Sequence, residues 1–379
     1  MRVKLKDAFD LQMGKTPARN NVEFWDGNHK WISIADFGNA EKYIVSTKEG
    51  ISDRGIEASG IKVVPKGTVV MSFKLSIGKT AITSEDMYTN EAIMAFCNKG
   101  TYEVDTDYLY HLCCGTNWNV GTNKAVMGLT LNKATLSECE VEIPDISEQR
   151  EIARKLDQLD TLIAKHGEQL TVLDELVKSR FIELFGENVP TVQLGSVCQM
   201  INGDRGKNYP SGEDFVPVGV PFVNAGHLYE GRVDFSSMNY ITEEKYTLLS
   251  QGKIQKNDIL YCLRGSLGKH GLVDFERGAV ASSLVILRCN EQKILPLFLL
   301  YAIETPEIER QLKAANNGSS QPNLSAASVR AYNIKLPSID KQAAFAAFVE
   351  QTDKSKLAVQ QSLQELETLK KSLMQQYFG

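Results

Sequence analysis

Residues 131–186 read LNKATLSECEVEIPDISEQREIARKLDQLDTLIAKHGEQLTVLDELVKSRFIELFG, and residues 324–379 read LSAASVRAYNIKLPSIDKQAAFAAFVEQTDKSKLAVQQSLQELETLKKSLMQQYFG. Laid on one another at a constant shift of 193, without a gap, 15 of these 56 positions are identical. Leu131/Leu324, Pro144/Pro337, Gln149/Gln342 and Asp160/Asp353 match, as do Phe185-Gly186 and Phe378-Gly379. Identity spread so evenly over an ungapped stretch is the mark of a tandem duplication.

Within the first stretch the period is helical. Apolar residues fall four, three and four apart at Ile152, Leu156, Leu159 and Ile163, and resume at Leu170, Leu173 and Val177. That spacing is a coiled-coil seam. Asp145 or Ser147 offers a cap at its start, and Gly186 with Pro190 supplies a stop. The second copy carries the equivalent seam at Phe345, Val349, Thr352, Lys356, Val359, Leu363 and Leu366, with Ser338 or Asp340 as its cap. Each ~40-residue helix would be about 60 Å long. Neither buries such a stripe alone, so the two are expected to pair antiparallel, with His166 and Lys356 as local accommodations in the seam.

The repeat continues upstream at a shift of 189–190, where Ser76-Ile77-Gly78-Lys79 meets Ser266-Leu267-Gly268-Lys269 and Val3-x-Leu5 meets Val192-x-Leu194. These parts are rich in short β-branched runs broken by glycine, namely Lys62–Val64, Thr68–Phe73 and Val280–Leu287. Such runs read as strands. Cys139-x-Val141-x-Ile143 and Tyr332-x-Ile334-x-Leu336 alternate like closing strands. The expected organisation is a β-rich domain over 1–145, a helical spacer over 146–186, a second β-rich domain over 187–338 and a second spacer over 339–379.

Composition bounds the function. With 42 basic and 47 acidic side chains the net charge is −5, without the basic excess usual in a lone nucleic-acid binder, so DNA binding must rest on local patches and specific contacts. Seven cysteines form no CxxC pair and five histidines no zinc spacing, which argues against a disulfide framework or structural metal and for a reducing cytoplasm. The longest apolar stretch, Leu295–Ile303, is far too short to span a bilayer.

No catalytic constellation stands out. Gly78-Lys79-Thr80 resembles the tail of a phosphate-binding loop, but Phe73 stands where the loop's first glycine belongs. No two prolines are adjacent, which removes the Pro-Pro-aromatic motif of amino-methyltransferases, and GxGxxG, HExxH and GxSxG are missing too. Neither catalytic nor metal-binding residues are assigned.

Several motifs together resemble the specificity subunits of type I restriction–modification enzymes. They are Gly14-Lys15-Thr16-Pro17, Glu23–Gly27 and Trp31–Asp36 in the first copy, with Gly203–Lys207 and Gly219–Asn224 as looser counterparts. Asp258-Ile259-Leu260, Arg264–Lys269 and Gly318–Ser325 follow, and Ile143–Arg150 resembles the family's entry into its helix. The second copy departs at 336–343, keeping Gln342 but losing the acidic and basic neighbours of Gln149. The resemblance implies an α+β fold, with two β-rich globular target recognition domains related by pseudo-two-fold symmetry and separated by two long antiparallel coiled-coil helices. It also implies a non-catalytic reader of double-stranded DNA with an asymmetric, two-part target. The partners implied are two modification (methyltransferase) subunits and restriction/translocase subunits. S-adenosylmethionine, ATP and Mg²⁺ would then belong to those partners.

Base reading needs paired donors and acceptors on loops that reach a groove. The candidates in the first copy are Lys15, Thr16 and Arg19, then Lys74, Ser76 and Lys79, then Asn123 and Lys124. In the second copy they are Arg205 and Lys207, then Arg264, Ser266 and Lys269, then Ser319 and Gln321. Arg264 suits a bidentate guanine contact, Lys79 and Lys269 phosphate. Gly14, Gly78, Gly203 and Gly268 read as turn formers, Trp25 and Trp31 as core. Two other readings stay open: a recognition chain serving a single-chain nuclease–methyltransferase, and a scaffold whose two modules bind protein or glycan.

Overall fold

The seam after Pro144 is realised as one uninterrupted helix, Ile146–Phe185, and its repeat as a second, Ile339–Phe378, of 40 residues each. Asp145 starts the first by accepting the Glu148 amide at 2.9 Å, and the helix stops at Gly186. The computed structural model describes all residues except 39, 75, 119–122, 126–127 and 316–322, and only the backbone of 123–125 and 128–130. Contacts divide the chain into two units, 1–168 with 360–379, and 169–359. Each unit therefore owns the near part of one long helix and the far part of the other.

In the first unit the strand Arg2–Lys4 pairs antiparallel with Glu140–Glu142, the alternating segment before Pro144. A five-stranded sheet runs Phe9–Met13, Ile93–Asn98, Val69–Ser72, Thr80–Thr83 and Tyr43–Ile44. A three-stranded sheet holds Trp25–Ile32 between Glu49–Ile51 and Tyr88–Thr89. Ile152, Leu156 and Leu159 are buried. The core around Ile152 and Leu156 also takes in Leu373, Met374 and Phe378 from the second long helix. Asp160 is ion-paired with Lys370, while Lys155 senses Tyr377 one to two turns earlier, so the two helices run antiparallel here.

The second unit repeats the plan. Thr191–Gln193 pairs with Asn333–Lys335. Cys198–Asn202, Leu284–Cys289, Ile259–Cys262 and His270–Leu272 follow the same order as their first-unit counterparts. Gly231–Val233 is parallel to His270–Leu272 as Tyr43–Ile44 is to Thr80–Thr83. Phe181, Phe185, Phe298 and Phe345 form an aromatic cluster with ring centroids 5.1–5.8 Å apart. Lys356 reaches Asp174 at 2.5 Å, and Phe345 packs on Phe181, so the helices are antiparallel in this unit too. The apolar run after Leu295 is the buried helix Pro296–Ala302.

Burial along the seam follows what covers it. Val349 is buried against the sheet core, whereas Ile163, Leu170, Leu173, Val359, Leu363 and Leu366 are half-buried. His166 bonds its own turn, with Nδ1 2.9 Å from the Leu162 carbonyl, and Lys356 is neutralised by Asp174 and Asp353.

Two strand expectations fail. Lys62–Val64 forms only an isolated bridge between Val64 and Met87, because Pro65 has no amide with which to continue a ladder. Val280–Leu287 is not one strand but the end of Arg277–Val280 and most of Leu284–Cys289, which lie in different sheets.

Candidate nucleic-acid interface

The candidate side chains lie on three kinds of loop, and the best defined is the turn between paired strands. Phe73 donates its amide to Ala92 and Leu263 donates its amide to Ser283, which makes Lys74 and Arg264 true equivalents. Gly78 and Gly268 sit at φ of +91° and +78°, and each returns an amide hydrogen bond to the strand, to Ser72 and Cys262. Both are turn formers, since side-chain-bearing residues rarely adopt that conformation.

The tips differ in chemistry. In the first, the Ser72 hydroxyl donates to the Ser76 carbonyl and accepts the Lys79 amide. In the second, the buried Cys262 thiol donates to the Arg264 carbonyl at 3.1 Å. Burial pushes that thiol's pKa up, so it stays a protonated donor. Arg264 and Ser266 are exposed, and the Arg264 backbone bridges to Asn323. Lys269 is half-buried and donates to the Ala225 carbonyl at 3.2 Å. Among the described residues, Lys79, Lys207 and Arg264 have no ion-pair partner. Lys74 lies with Nζ 5.3 Å from the Phe73 ring centre, and the Arg205 guanidinium reaches the Ser282 carbonyl at 3.5 Å.

The loop from Gly14 is held far more tightly. Lys15 donates to the carbonyls of Ser59 and Gly60 at 3.0 and 3.1 Å, and Thr16 donates to Glu91. Arg19 forks onto both carboxylate oxygens of Glu49, with its guanidinium carbon 3.9 Å from the centre of the Trp25 ring. The Trp31 and Trp25 indoles donate to the carbonyls of Lys15 and Ala18. Trp31 is buried as core, as its sequence position suggested, and Trp25 packs on it edge to face at 5.0 Å. A cleft of about 450 Å³ opens beside this loop, lined by Gly14, Thr16, Pro17, Phe24, Ser59 and Glu91. Gly14 and Gly203 are not turn formers. A Cβ on Gly14 would lie 1.9 Å from the Thr89 carbonyl oxygen, and one on Gly203 would lie 2.4 Å from that of Ala281. Both glycines allow the backbone to graze a neighbouring strand.

Asn123 and Lys124 lie on a small antiparallel hairpin, Asn123–Ala125 with Gly128–Thr130. Ser319 and Gln321 lie outside the described residues.

A polar joint forms where the first β-rich part meets its helix. Lys42 grips Asp157 at 2.6 and 2.8 Å and Asp107 at 2.8 Å, and His111 Nε2 meets Asp157 at 2.7 Å. Burial pulls the His111 pKa below its ordinary value, against the pull of Asp157. Burial pushes the Asp157 carboxyl up, but Lys42 and His111 outweigh it and hold the pKa low. His111, Asp157 and Asp160 place ligand atoms within 4.8 Å of one another, as a metal site would. Lys42 and Lys370 already occupy the carboxylates. In the second unit Arg232 meets Asp353, the repeat partner of Asp160, at 3.5 Å. The identity of Asp160 and Asp353 was the one signal of this joint.

The model of the type I restriction modification DNA specificity domain matches residues 1–174 and again 186–368. The chain belongs to that family. Among similar proteins is the specificity subunit of the type I restriction enzyme MjaIX from Methanocaldococcus jannaschii, 28% identical over 63% of this chain and 60% of that protein. That alignment thus leaves two fifths of the relative uncovered. The MjaVIII specificity subunit of the same organism is 21% identical over 98% of this chain and 90% of its own length. Among solved structures, one from work on complex assembly and conformational transition of the type I system superposes with a TM-score of 0.67. It shares 17% identity and covers 100% of this chain and 97% of the other. The S subunit from M. genitalium gives 0.56 at 15% identity, covering 100% and 96%. Both extend the fold likeness over the whole of this family member. No helix among the described residues is long and apolar enough to cross a membrane.

Proposed function

We propose that this chain is the DNA-reading subunit of a type I restriction–modification complex, each unit reading one half of a two-part, asymmetric target. The observation that carries this is the pair of equivalent turn tips. The strand frame is repeated, yet Lys74 faces the first tip and Arg264 the second, and the loops from Gly14 and Gly203 are held by unrelated contacts. One frame carrying two different sets of donors reads two different words.

Arg264 is the base reader of the second tip, Lys79 a phosphate contact, and Lys207 and Arg205 line the same half-site. Asn123, Lys124, Ser319 and Gln321 complete the set. The negative net charge fits a subunit whose partners supply much of the phosphate clamp. In this reading two modification subunits dock on the long helices, methylate adenine with S-adenosylmethionine, and are joined by ATP- and Mg²⁺-dependent restriction subunits. This chain carries no chemical step. The family match sets aside the protein- or glycan-binding scaffold.

Co-expression with a modification subunit, followed by mapping of methylated adenines, tests the reading. Two unlike half-sites separated by a fixed gap are expected. A single continuous palindrome, or no methylation that depends on this chain, overturns it.

A further inference from the structure

Two cysteines far apart in sequence face each other across one ladder of the second unit. Cys198 and Cys289 are direct partners in the antiparallel pairing of Cys198–Asn202 with Leu284–Cys289, and their sulfurs lie 3.9 Å apart. The neighbouring pair carries a ladder hydrogen bond, from the Asn290 amide to the Val197 carbonyl at 2.9 Å. Hydrogen-bonded and non-bonded pairs alternate along such a ladder, so Cys198 and Cys289 occupy a non-bonded position, where Cα atoms approach to about 4.5 Å. A disulfide spans Cα separations of roughly 4.4–6.8 Å. The backbone is therefore already where a cross-link needs it, and side-chain rotation alone closes the gap between sulfurs.

From this geometry we infer that Cys198 and Cys289 form an oxidisable dithiol, which a hydroperoxide converts into a reversible disulfide. The half-buried Cys289 is the sulfur the oxidant reaches. Its thiolate attacks the peroxide O–O bond, giving a sulfenic acid and releasing hydroxide or alkoxide. The Cys198 sulfur then attacks the Cys289 sulfur; the S–O bond breaks, the S–S bond forms, and the thiol proton leaves with the hydroxyl as water. The Cys198 thiol and burial push the Cys289 pKa up, so at neutral pH the pair rests as two thiols and oxidation runs through a small thiolate fraction, slowly and faster as pH rises.

The cross-link belongs to one copy only. The equivalent ladder pair in the first unit is Phe9 and Asn98. Its position also gives it a consequence, because the strand Cys198–Asn202 runs straight into the loop of Gly203, Arg205 and Lys207. Oxidation ties the start of that strand, at the end away from the loop, to the neighbouring strand Leu284–Cys289 and leaves the first unit untouched.

The test uses the full chain, reduced, desalted and treated with hydrogen peroxide, then alkylated, digested without reductant and weighed. The expected product is one peptide pair joined through Cys198 and Cys289, two hydrogens lighter than its parts and separated again by dithiothreitol. Cys198→Ser leaves Cys289 unlinked, as does Cys198→Ala should the serine variant not fold. The inference fails if both residues remain alkylated thiols, or appear separately as sulfinic acids, at doses that consume the exposed Cys114. None of these outcomes depends on what the second unit binds.

Discussion

Gln149 and Gln342, 193 positions apart, are both fully buried and make the same three hydrogen bonds. Gln149 accepts the Asp105 amide and donates to the carbonyls of Glu103 and Pro144; Gln342 accepts the Leu295 amide and donates to those of Lys293 and Pro337. Each amide ties the first turn of a long helix to the segment leading into a helix of the β-rich part. This explains why the glutamine persists in the second copy while its charged neighbours do not. Those neighbours are exposed, whereas the amide is itself buried and satisfies three backbone groups.

Replacing either glutamine by leucine strands those three groups at once. A buried polar group left without a partner costs about 1–3 kcal/mol. Gln149→Leu and Gln342→Leu should each lower stability by about 3 kcal/mol or more in denaturant titration, with similar losses for both. A loss well under ~1 kcal/mol at either position would show that water replaces the amide there.

That pair also marks how far the sequence could be read. The duplication, both helices and the closing strands follow from local period and self-similarity, and the structure holds them. What escaped was non-local. Arg19 and Thr16 look like free donors on a glycine loop, yet their carboxylate partners Glu49 and Glu91 lie 30 and 75 residues away and share no pattern with them. Lys42 found Asp157 across 115 residues in the same way. The strand misreading at Lys62–Val64 has a local cause that was visible, since Pro65 follows it.

The Arg19–Glu49 fork predicts that Arg19 positions the Gly14 loop and reads no base itself. Arg19→Glu should release the loop, raising acrylamide quenching of Trp25 and Trp31 over the buried Trp118, and relax reading of the first half-site only. Adding Glu49→Arg restores opposite charges and should recover most of both signals. If the double swap stays as defective as Arg19→Glu in half-site reading while quenching recovers, Arg19 touches DNA directly.

His111 gives the first unit a pH dependence. Its folded pKa is depressed below 6.5 by burial, so above that value folded and unfolded chains are alike in proton binding at this residue. As pH falls below 6.5 the unfolded state takes up the proton first, and the stability from burying a neutral imidazole is lost progressively. Asp157, whose pKa is itself lowered, keeps its contribution until much more acidic pH. Denaturation midpoints of the first unit should therefore fall between pH 7 and pH 5, and His111→Gln should flatten that slope. An unchanged slope would assign the loss to other groups.

Arg264 and Lys79 separate base reading from phosphate holding. Arg264 is exposed at a tip that Gly268 and the Cys262 thiol fix in place, so its fork is free to meet two acceptors on one base edge. Arg264→Ala should cost about 1–3 kcal/mol in binding and make one position of the second half-site degenerate. Arg264→Lys keeps the charge but not the fork, and should recover affinity without recovering selectivity. Lys79→Ala should weaken binding alike on all sequences and reduce the salt dependence by about one charge. Measured in the assembled complex by titration at several salt concentrations, an Arg264→Ala variant that behaves like Lys79→Ala would move Arg264 from base edge to phosphate.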